Sequence, residues 1–413
     1  MGLFLPRDRF DQIHLPIRHA MLFLKDLDLK GKTVFLRVDF NVPLDDERNI
    51  RDDTRIKAAL PTINFLLEQK AKLIIASHLG RPKGEFVPEL SLKPVAKRLS
   101  ELLSLEVTLA PDVVGEEVTK LKKTLEEGQV LLLENVRFHS EETANDANFA
   151  QALAQEVDYY VNDAFGTCHR AHASVVAITQ YVEKSAAGFL VKKEVDYLSK
   201  IVHSPEKPLV AILGGAKVSD KIPVIESLLN KADNILIGGA MAYTFFKAQG
   251  YDVGRSLVEE DKIELAHILL RRTEEEKRSF LLPSDHIIAA EASTGAKSQI
   301  TETFPLPSDM MALDIGPRTV EKYSEIISGS KTIFWNGPMG VFEIDQFSQG
   351  TTKIAEAVAN SGSVSIIGGG DSVAAVYKAG VAEKISHIST GGGASLEFIA
   401  KETLPGIEAL MEK

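Results

Sequence analysis

The amino-acid sequence predicts an α/β protein of two domains, each built on a mostly parallel sheet. Three observations lead there. The chain has 413 residues, and single hydrophobic cores stop growing beyond about 250–300 residues. From Thr33 onward, short apolar runs alternate with segments of 3.6-residue periodicity, the pattern of repeated βα units. The residues that follow those runs also differ between the halves: polar and basic in the first, glycine-rich in the second.

In chain order, the strand-like runs of the first half are TVFLRV, KLIIAS, VLLLENV and YYVNDAF. Those of the second half are LVAILGG, NILIGG, KTIFWNG and VSIIGGG. Between the first two lies RIKAALPTINFLLEQK, where Ile56, Ala59, Leu60, Ile63 and Leu67 fall on one helical face. SAAGFLVKKEVDYLSKIV reads as a helix, and HSPEKP, with Pro205 and Pro208, as the turn that ends it. The domain boundary is placed there, near residues 190–205.

Composition removes several function classes. With 44% hydrophobic and 25% charged residues the chain belongs among folded globular proteins. No apolar run approaches the roughly 18 residues of a membrane span. A net charge of −11 argues against nucleic acid or anionic membrane as a partner of the whole molecule. The single cysteine, Cys168, rules out an internal disulfide framework and fits a reducing cytoplasm. Residues 1–20 lack the apolar core and cleavage site of a secretory signal. They read as an extension of unclear role, with Met21 resembling a second start.

In parallel α/β sheets, ligands collect beyond the C-terminal strand ends. There the first half places Asp39 and Asn41, then His78 and Arg81, then Arg137, then Arg170. Each arginine alone reads as a surface residue with a carboxylate neighbour. Three after successive strands suggest one anion site, because a planar guanidinium fork suits phosphate or carboxylate. His78 reads equally as a phosphate donor or a packed loop residue.

The second half places Gly214-Gly215, Gly238-Gly239, Gly368 to Gly370 and Gly391 to Gly393 after its strands. Three consecutive glycines exceed what a turn needs and suggest close approach of a ligand to the backbone. The helix that follows offers free N–H groups and the positive end of its dipole to phosphate. Asp371 beside such a cradle makes sense if a divalent cation sits between them, since Mg²⁺ takes one or two carboxylates plus substrate phosphates. Lys217 and Lys221, four apart, are expected on one face of a helix; they read as solvated lysines or, next to Gly214-Gly215, as phosphate cations. In NGPMGVFE, Asn336 and Glu343 belong to a packed loop with one exposed acid or to a ribose-binding loop beside Gly368.

The usual nucleotide fingerprints are missing. Asp26 stands where the first glycine of a phosphate loop ending in Gly31, Lys32 and Thr33 belongs, and Val373 where GxGxxG needs its last glycine. CHRAH, Cys168 to His172, has one cysteine and two histidines without further ligands, which is neither a metal set nor an activated nucleophile.

Eight stretches in order, RVDFNVP, SHLGRP, LENVRF, NDAFGT, GGAKVSDKI, WNGPMGVFE, GGGD and STGGGASLE, resemble the motifs of the phosphoglycerate kinase family from about Met21 to the C-terminus. The resemblance implies two Rossmann-like domains facing each other across a hinged cleft, and Mg²⁺-dependent exchange of a phosphoryl group between ATP and 3-phosphoglycerate. It implies a 3-phosphoglycerate domain at 21–190, a connecting helix and hinge at 191–205, a nucleotide domain at 206–397, and a segment at 398–413 returning to the first domain. A second hinge candidate is the 391–396 loop.

By motif, Asp39 and Asn41 contact the glycerate; His78, Arg81, Arg137 and Arg170 hold its phosphate; Arg55 lies beside the carboxyl that is phosphorylated. Lys217 and Lys221 bind nucleotide phosphates, Glu343 the ribose, and Gly368, Gly369, Gly370, Asp371 and Ser372 the phosphate end, with Asp371 on Mg²⁺ and Asn336 near the transferring group. Arg55, Lys217, Lys221 and the helix starts at Gly370 and Gly393 are the implied catalytic groups. A cytoplasmic monomer is expected. Two other readings are a catalytically silent nucleotide binder and a kinase for acetate or aspartate. Arg55, Lys217, Lys221 and Asp371 together speak against the first, and the arginine set against the second.

Overall fold

A computed structural model describes residues 21–411. Residues 1–20, which carry the expected extension, lie outside them. The chain divides into two units, one reaching to Asp196 and taking in the segment from Thr403, the other Tyr197–Glu402.

The first unit contains β1 (Leu22–Phe23), β2 (Thr33–Arg37), β3 (Lys72–Ala76), β4 (Val107–Leu109), β5 (Val130–Leu132), β6 (Tyr159–Asn162) and β7 (Lys184–Ala187). They form one parallel sheet in the order β1-β7-β6-β2-β3-β5-β4. The strands read as continuous apolar runs because helices cover both faces of a parallel sheet. Val34, Phe35, Leu36, Leu73, Ile74 and Ile75 are all fully buried.

The helix Thr54–Glu68 buries Ile56, Ala59, Thr62, Ile63 and Leu66. Its core face is therefore turned from the expected stripe: Leu60 and Leu67 are half-buried at the margin. The polar Thr62 takes a core position because its hydroxyl accepts a hydrogen bond from the Phe189 N–H at 3.0 Å, a pairing invisible to hydrophobic periodicity.

The second unit contains β8 (Leu209–Leu213), β9 (Asn234–Ile237), β10 (Ser279–Leu281), β11 (His286–Ala289), β12 (Ser298–Thr301), β13 (Met311–Ile315), β14 (Thr332–Asn336), β15 (Val364–Gly368) and β16 (His387–Ile388). A parallel sheet runs β10-β9-β8-β14-β15-β16. A separate antiparallel sheet, β12-β11-β13, sits in the same unit.

Two expectations need correction. Lys184–Ala187 is strand β7, so the helix expected from Ser185 begins only at Phe189 and runs to Val202. Gly188 breaks the pattern, since a Cβ there would lie 2.2 Å from the Asp163 carboxylate. The unit boundary falls inside this helix, between Asp196 and Tyr197. The returning segment starts at Thr403 rather than at 398, because the helix Gly393–Lys401 belongs to the second unit. In the first unit that segment packs with Gly406 against Cys168, whose carbonyl accepts the Gly406 N–H at 2.8 Å.

Candidate functional site

Chemistry-bearing loops follow four adjacent strands of the first sheet: β6, β2, β3 and β5. After β2, Asp39 accepts a hydrogen bond from Arg55 Nη1 at 2.5 Å, with Arg55 coming from the first turn of the helix Thr54–Glu68. Its other oxygen lies 3.9 Å from His78 Nδ1 in the loop after β3. Asn41 Oδ1 accepts the Gly80 N–H at 2.8 Å, and the Gly80 carbonyl accepts Arg137 Nη1 at 2.8 Å. Asn135 stitches the loops after β3 and β5 together, bonding Leu79 from both ends of its amide and accepting the Arg137 N–H.

Beneath these groups lies a charge that opens the RVDFNVP stretch without revealing its role. Arg37, the last residue of β2, is fully buried. Its Nε donates to Ser174 Oγ at 2.8 Å, and Ser174 in turn donates to the buried Glu142 at 2.7 Å. Arg37 Nη2 lies 3.3 Å from His78 Nδ1. A guanidinium only donates, so Nδ1 accepts and the imidazole proton sits on Nε2. Burial first, then Arg37, Arg137 and Arg55, hold the His78 pKa well below its usual value. At neutral pH this ring is an uncharged donor. Burial, with Arg37 and Arg170 nearby, lowers Arg137 to about 10. An arginine inside an otherwise apolar strand, two residues before Asp39, was the available signal for Arg37.

Arg170 donates to His169 Nε2 at 3.0 Å and is exposed. Arg81 is exposed as well and makes no hydrogen bond or ion pair among the described residues. It shares the loop of His78 and Gly80 without touching the other members. The guanidinium groups of Arg37, Arg55, Arg137 and Arg170 thus gather around two carboxylates, Asp39 and Glu142. Such an excess of cations, partly dehydrated, is relieved by an anion.

The second unit presents a cavity of about 380 Å³ lined by Lys217, Lys221, Asn336, Gly370, Asp371 and Gly393, among others. Two helices start in it. The helix Gly370–Lys378 follows Gly369, whose φ of +89° suits glycine, and the helix Gly393–Lys401 follows Gly392 at φ +53°. Nothing lies within 4 Å of where a Cβ on Gly370 or Gly393 would stand, so both N-termini open to the cavity. Lys221 is buried and donates to Asn336 Oδ1. Burial lowers its pKa, while Asp220 and Asp371 oppose the shift. Asn336 Nδ2 is buried without a partner among the described residues.

A second cavity, of about 200 Å³, shares Gly215, Ala216 and Asp371 with the first and is lined further by Tyr243, Leu313, Asp314, Val341 and Glu343. A glycine-lined chamber with lysines thus adjoins a smaller, more apolar slot.

One expectation changes here. Lys217 and Lys221 do not share a helix face: the segment is a series of turns, and the helix begins at Ile222 with Pro223 in its first turn. Lys217 is exposed and Lys221 buried, yet both reach the same cavity. Gly214 lines the cavity too, and it must be glycine for packing, since a Cβ on it would lie 2.1 Å from the Pro338 carbonyl. Ser372 lines the cavity, but it is fully buried and its hydroxyl accepts the Gly337 N–H at 2.5 Å. It fixes the loop that carries Asn336.

No group of three or more His, Cys, Asp or Glu arranged to hold a metal occurs among the described residues. Asp371, exposed in the first turn of its helix with Asp220 lining the same cavity, suits a cation that takes the rest of its ligands from phosphates.

The family model described as phosphoglycerate kinase matches residues 24–402. Among curated proteins, the chain is 58% identical over 403 residues to a phosphoglycerate kinase of Acidobacterium capsulatum, covering 95% of this chain and 100% of that one. It is 56% identical over 392 residues to a cytosolic phosphoglycerate kinase of Triticum aestivum, covering 94% and 98%. Among solved structures, a phosphoglycerate kinase from Coxiella burnetii matches with a TM-score of 0.87 and 43% identity, covering 94% of this chain and 98% of that one. One from Pyrococcus horikoshii matches with a TM-score of 0.82 and 37% identity over the same shares.

Proposed function

This chain belongs to the phosphoglycerate kinase family, and we propose that it moves a phosphoryl group reversibly between ATP and the carboxylate of 3-phosphoglycerate, giving ADP and 1,3-bisphosphoglycerate, in glycolysis and gluconeogenesis. The observation that carries the reading is the pairing of an arginine-rich site in one unit with a two-helix phosphate cavity in the other. In the first, His78, Arg81, Arg137 and Arg170 take the non-transferring phosphate, Asp39 and Asn41 the glycerate hydroxyl end, and Arg55 the carboxylate. In the second, Lys217, Lys221 and the helix starts at Gly370 and Gly393 take the nucleotide phosphates, and Glu343 the ribose. Mg²⁺, with Asp371 and substrate phosphates as ligands, supplies further charge neutralisation when bound.

A carboxylate is already ionised at neutral pH, so its attack requires no general base. His78, neutral and protonated on Nε2, acts as a hydrogen-bond donor. The barrier is electrostatic: an anion must meet the γ-phosphoryl group in line, through a largely dissociative transition state. Lys221, Arg55 and the backbone N–H groups at Gly370 and Gly393 supply the preorganised positive charge. The reacting atoms must touch, so the reading requires the two half-sites to meet during turnover with water excluded. One chain carries both, so a monomer suffices; we place it in the cytoplasm.

Calorimetric titration tests the acceptor. Loss of the phosphate leaves several charge-assisted bonds unmade, each contributing about 1.5–3 kcal/mol, so 3-phosphoglycerate should bind at least about 100-fold more tightly than glycerate. Equal affinities would remove 3-phosphoglycerate as the substrate.

A further inference from the structure

The slot beside Glu343, on the adenosine side of the phosphate cavity, is walled by a loop held from several sides: the Pro338 carbonyl accepts the Gly215 N–H at 2.9 Å, and Met339 and Phe347 are buried. Gly337–Ser348 carries Val341 and Glu343, and Glu343 is exposed with no hydrogen bond or ion pair among the described residues. Backbone anchors near both ends must therefore set where these two residues stand. Met339 N–H donates to Thr351 Oγ1 at 3.0 Å, and Val341 N–H to the Leu313 carbonyl at 2.8 Å.

Lys378 Nζ donates to the Phe342 carbonyl at 2.9 Å, and a further anchor is Asp314, on β13. It is 3% exposed, and burial pushes its carboxyl pKa up to about 7. One oxygen accepts the Gly350 N–H at 2.7 Å, in the first turn of the helix Gln349–Asn360; the other accepts the Ile315 N–H at 2.9 Å. A carboxylate at a helix start satisfies a donor that the helix cannot. Its fit is close on both sides: a Cβ on Gly340 would lie 2.3 Å from Asp314 Oδ1, and one on Gly350 2.4 Å. Two glycines, Gly340 within the Glu343 loop and Gly350 in the helix after it, thus press onto one carboxyl group, and Asp314 itself lines the slot with Val341 and Glu343.

We propose that Asp314 is a positioning residue for nucleotide binding: it clamps Gly340 and Gly350 so that Val341 and Glu343 form the wall that receives the adenosine. The inference rests on the nucleotide reading of this unit. It assigns Asp314 to the adenosine part: the phosphate cavity takes Gly337 from the start of the same loop but contains neither Asp314 nor its two glycines.

Titration of the full-length chain with Mg-ADP and, separately, with inorganic triphosphate tests it. In Asp314→Ala, the buried Gly350 N–H loses its acceptor, which should weaken Mg-ADP by about tenfold or more. Triphosphate affinity and the KM for 3-phosphoglycerate should stay within about twofold of wild type, a range of about 0.4 kcal/mol. If Asp314→Ala does not fold, Asp314→Asn keeps the volume but turns one acceptor into a donor, and should give the same split. Equal weakening of both ligands, or of neither, would overturn the inference, since a purely structural role lowers the folded fraction without separating them. Wild-type protein that binds Mg-ADP no better than triphosphate would instead overturn the adenosine reading itself.

Discussion

Lys221→Ala is expected to lower turnover by about 10³–10⁵-fold at saturating substrates, the range that cationic fingers contribute to phosphoryl transfer. The lysine is buried at the wall of the phosphate cavity and held by Asn336. Burial makes its charge expensive to keep, and a buried cation bonded to a neutral amide is poised for a phosphate. Truncation would remove that charge and leave both ends of the Asn336 side chain without partners in a buried setting. Steady-state turnover, with the melting temperature measured alongside to separate loss of fold, decides the matter. A loss below tenfold would contradict the role.

Arg55→Ala should cost a comparable 10³–10⁵-fold, through different physics. Arg55 is half-buried at the start of a helix and bound to Asp39 at 2.5 Å. In that arrangement the guanidinium is prepositioned at low entropic cost, with donors to spare for a substrate carboxylate. Removing it leaves the acceptor and the developing charge facing each other without a cation. The proposed nucleotide site belongs to the other unit, so Mg-ADP affinity should be unchanged while turnover falls. Turnover within tenfold of wild type, or a parallel loss of Mg-ADP binding, would contradict this assignment.

Where the chain puts its chemistry is legible in the order of its residues. Strands that are buried on both faces announce themselves as unbroken apolar runs, and the residues after them stand at the ligand end of a parallel sheet. This is why Asp39, His78, Arg137, Asn336 and Gly370 can be picked out from order alone. The glycine triplet also resolves into separate tasks: Gly368 ends a strand, Gly369 makes a positive-φ turn beside Asn336, and Gly370 leaves a helix start open.

What escapes such a reading depends on contacts distant in sequence. The packing of Gly214 against the Pro338 carbonyl, 2.1 Å from where its Cβ would stand, is one such contact. Arg37 and Glu142 are joined through Ser174, 137 and 32 residues away respectively, and no local pattern encodes such a chain. Asp314 sits in a strand of the small antiparallel sheet, whose short, mixed segments carry neither a long apolar run nor a clear alternation. The helix expected across Lys217 and Lys221 fails because Pro223 starts the helix later, while the turns before it still deliver both lysines to one cavity.

The most direct test of phosphoryl transfer to the carboxylate of 3-phosphoglycerate is acyl-phosphate formation from Mg-ATP, trapped as the hydroxamate, with 3-phosphoglycerate, acetate and aspartate offered separately. Product with 3-phosphoglycerate alone, lost in Lys221→Ala, is the expected result; no product with any acceptor, from protein that binds Mg-ATP, would show a silent nucleotide binder instead.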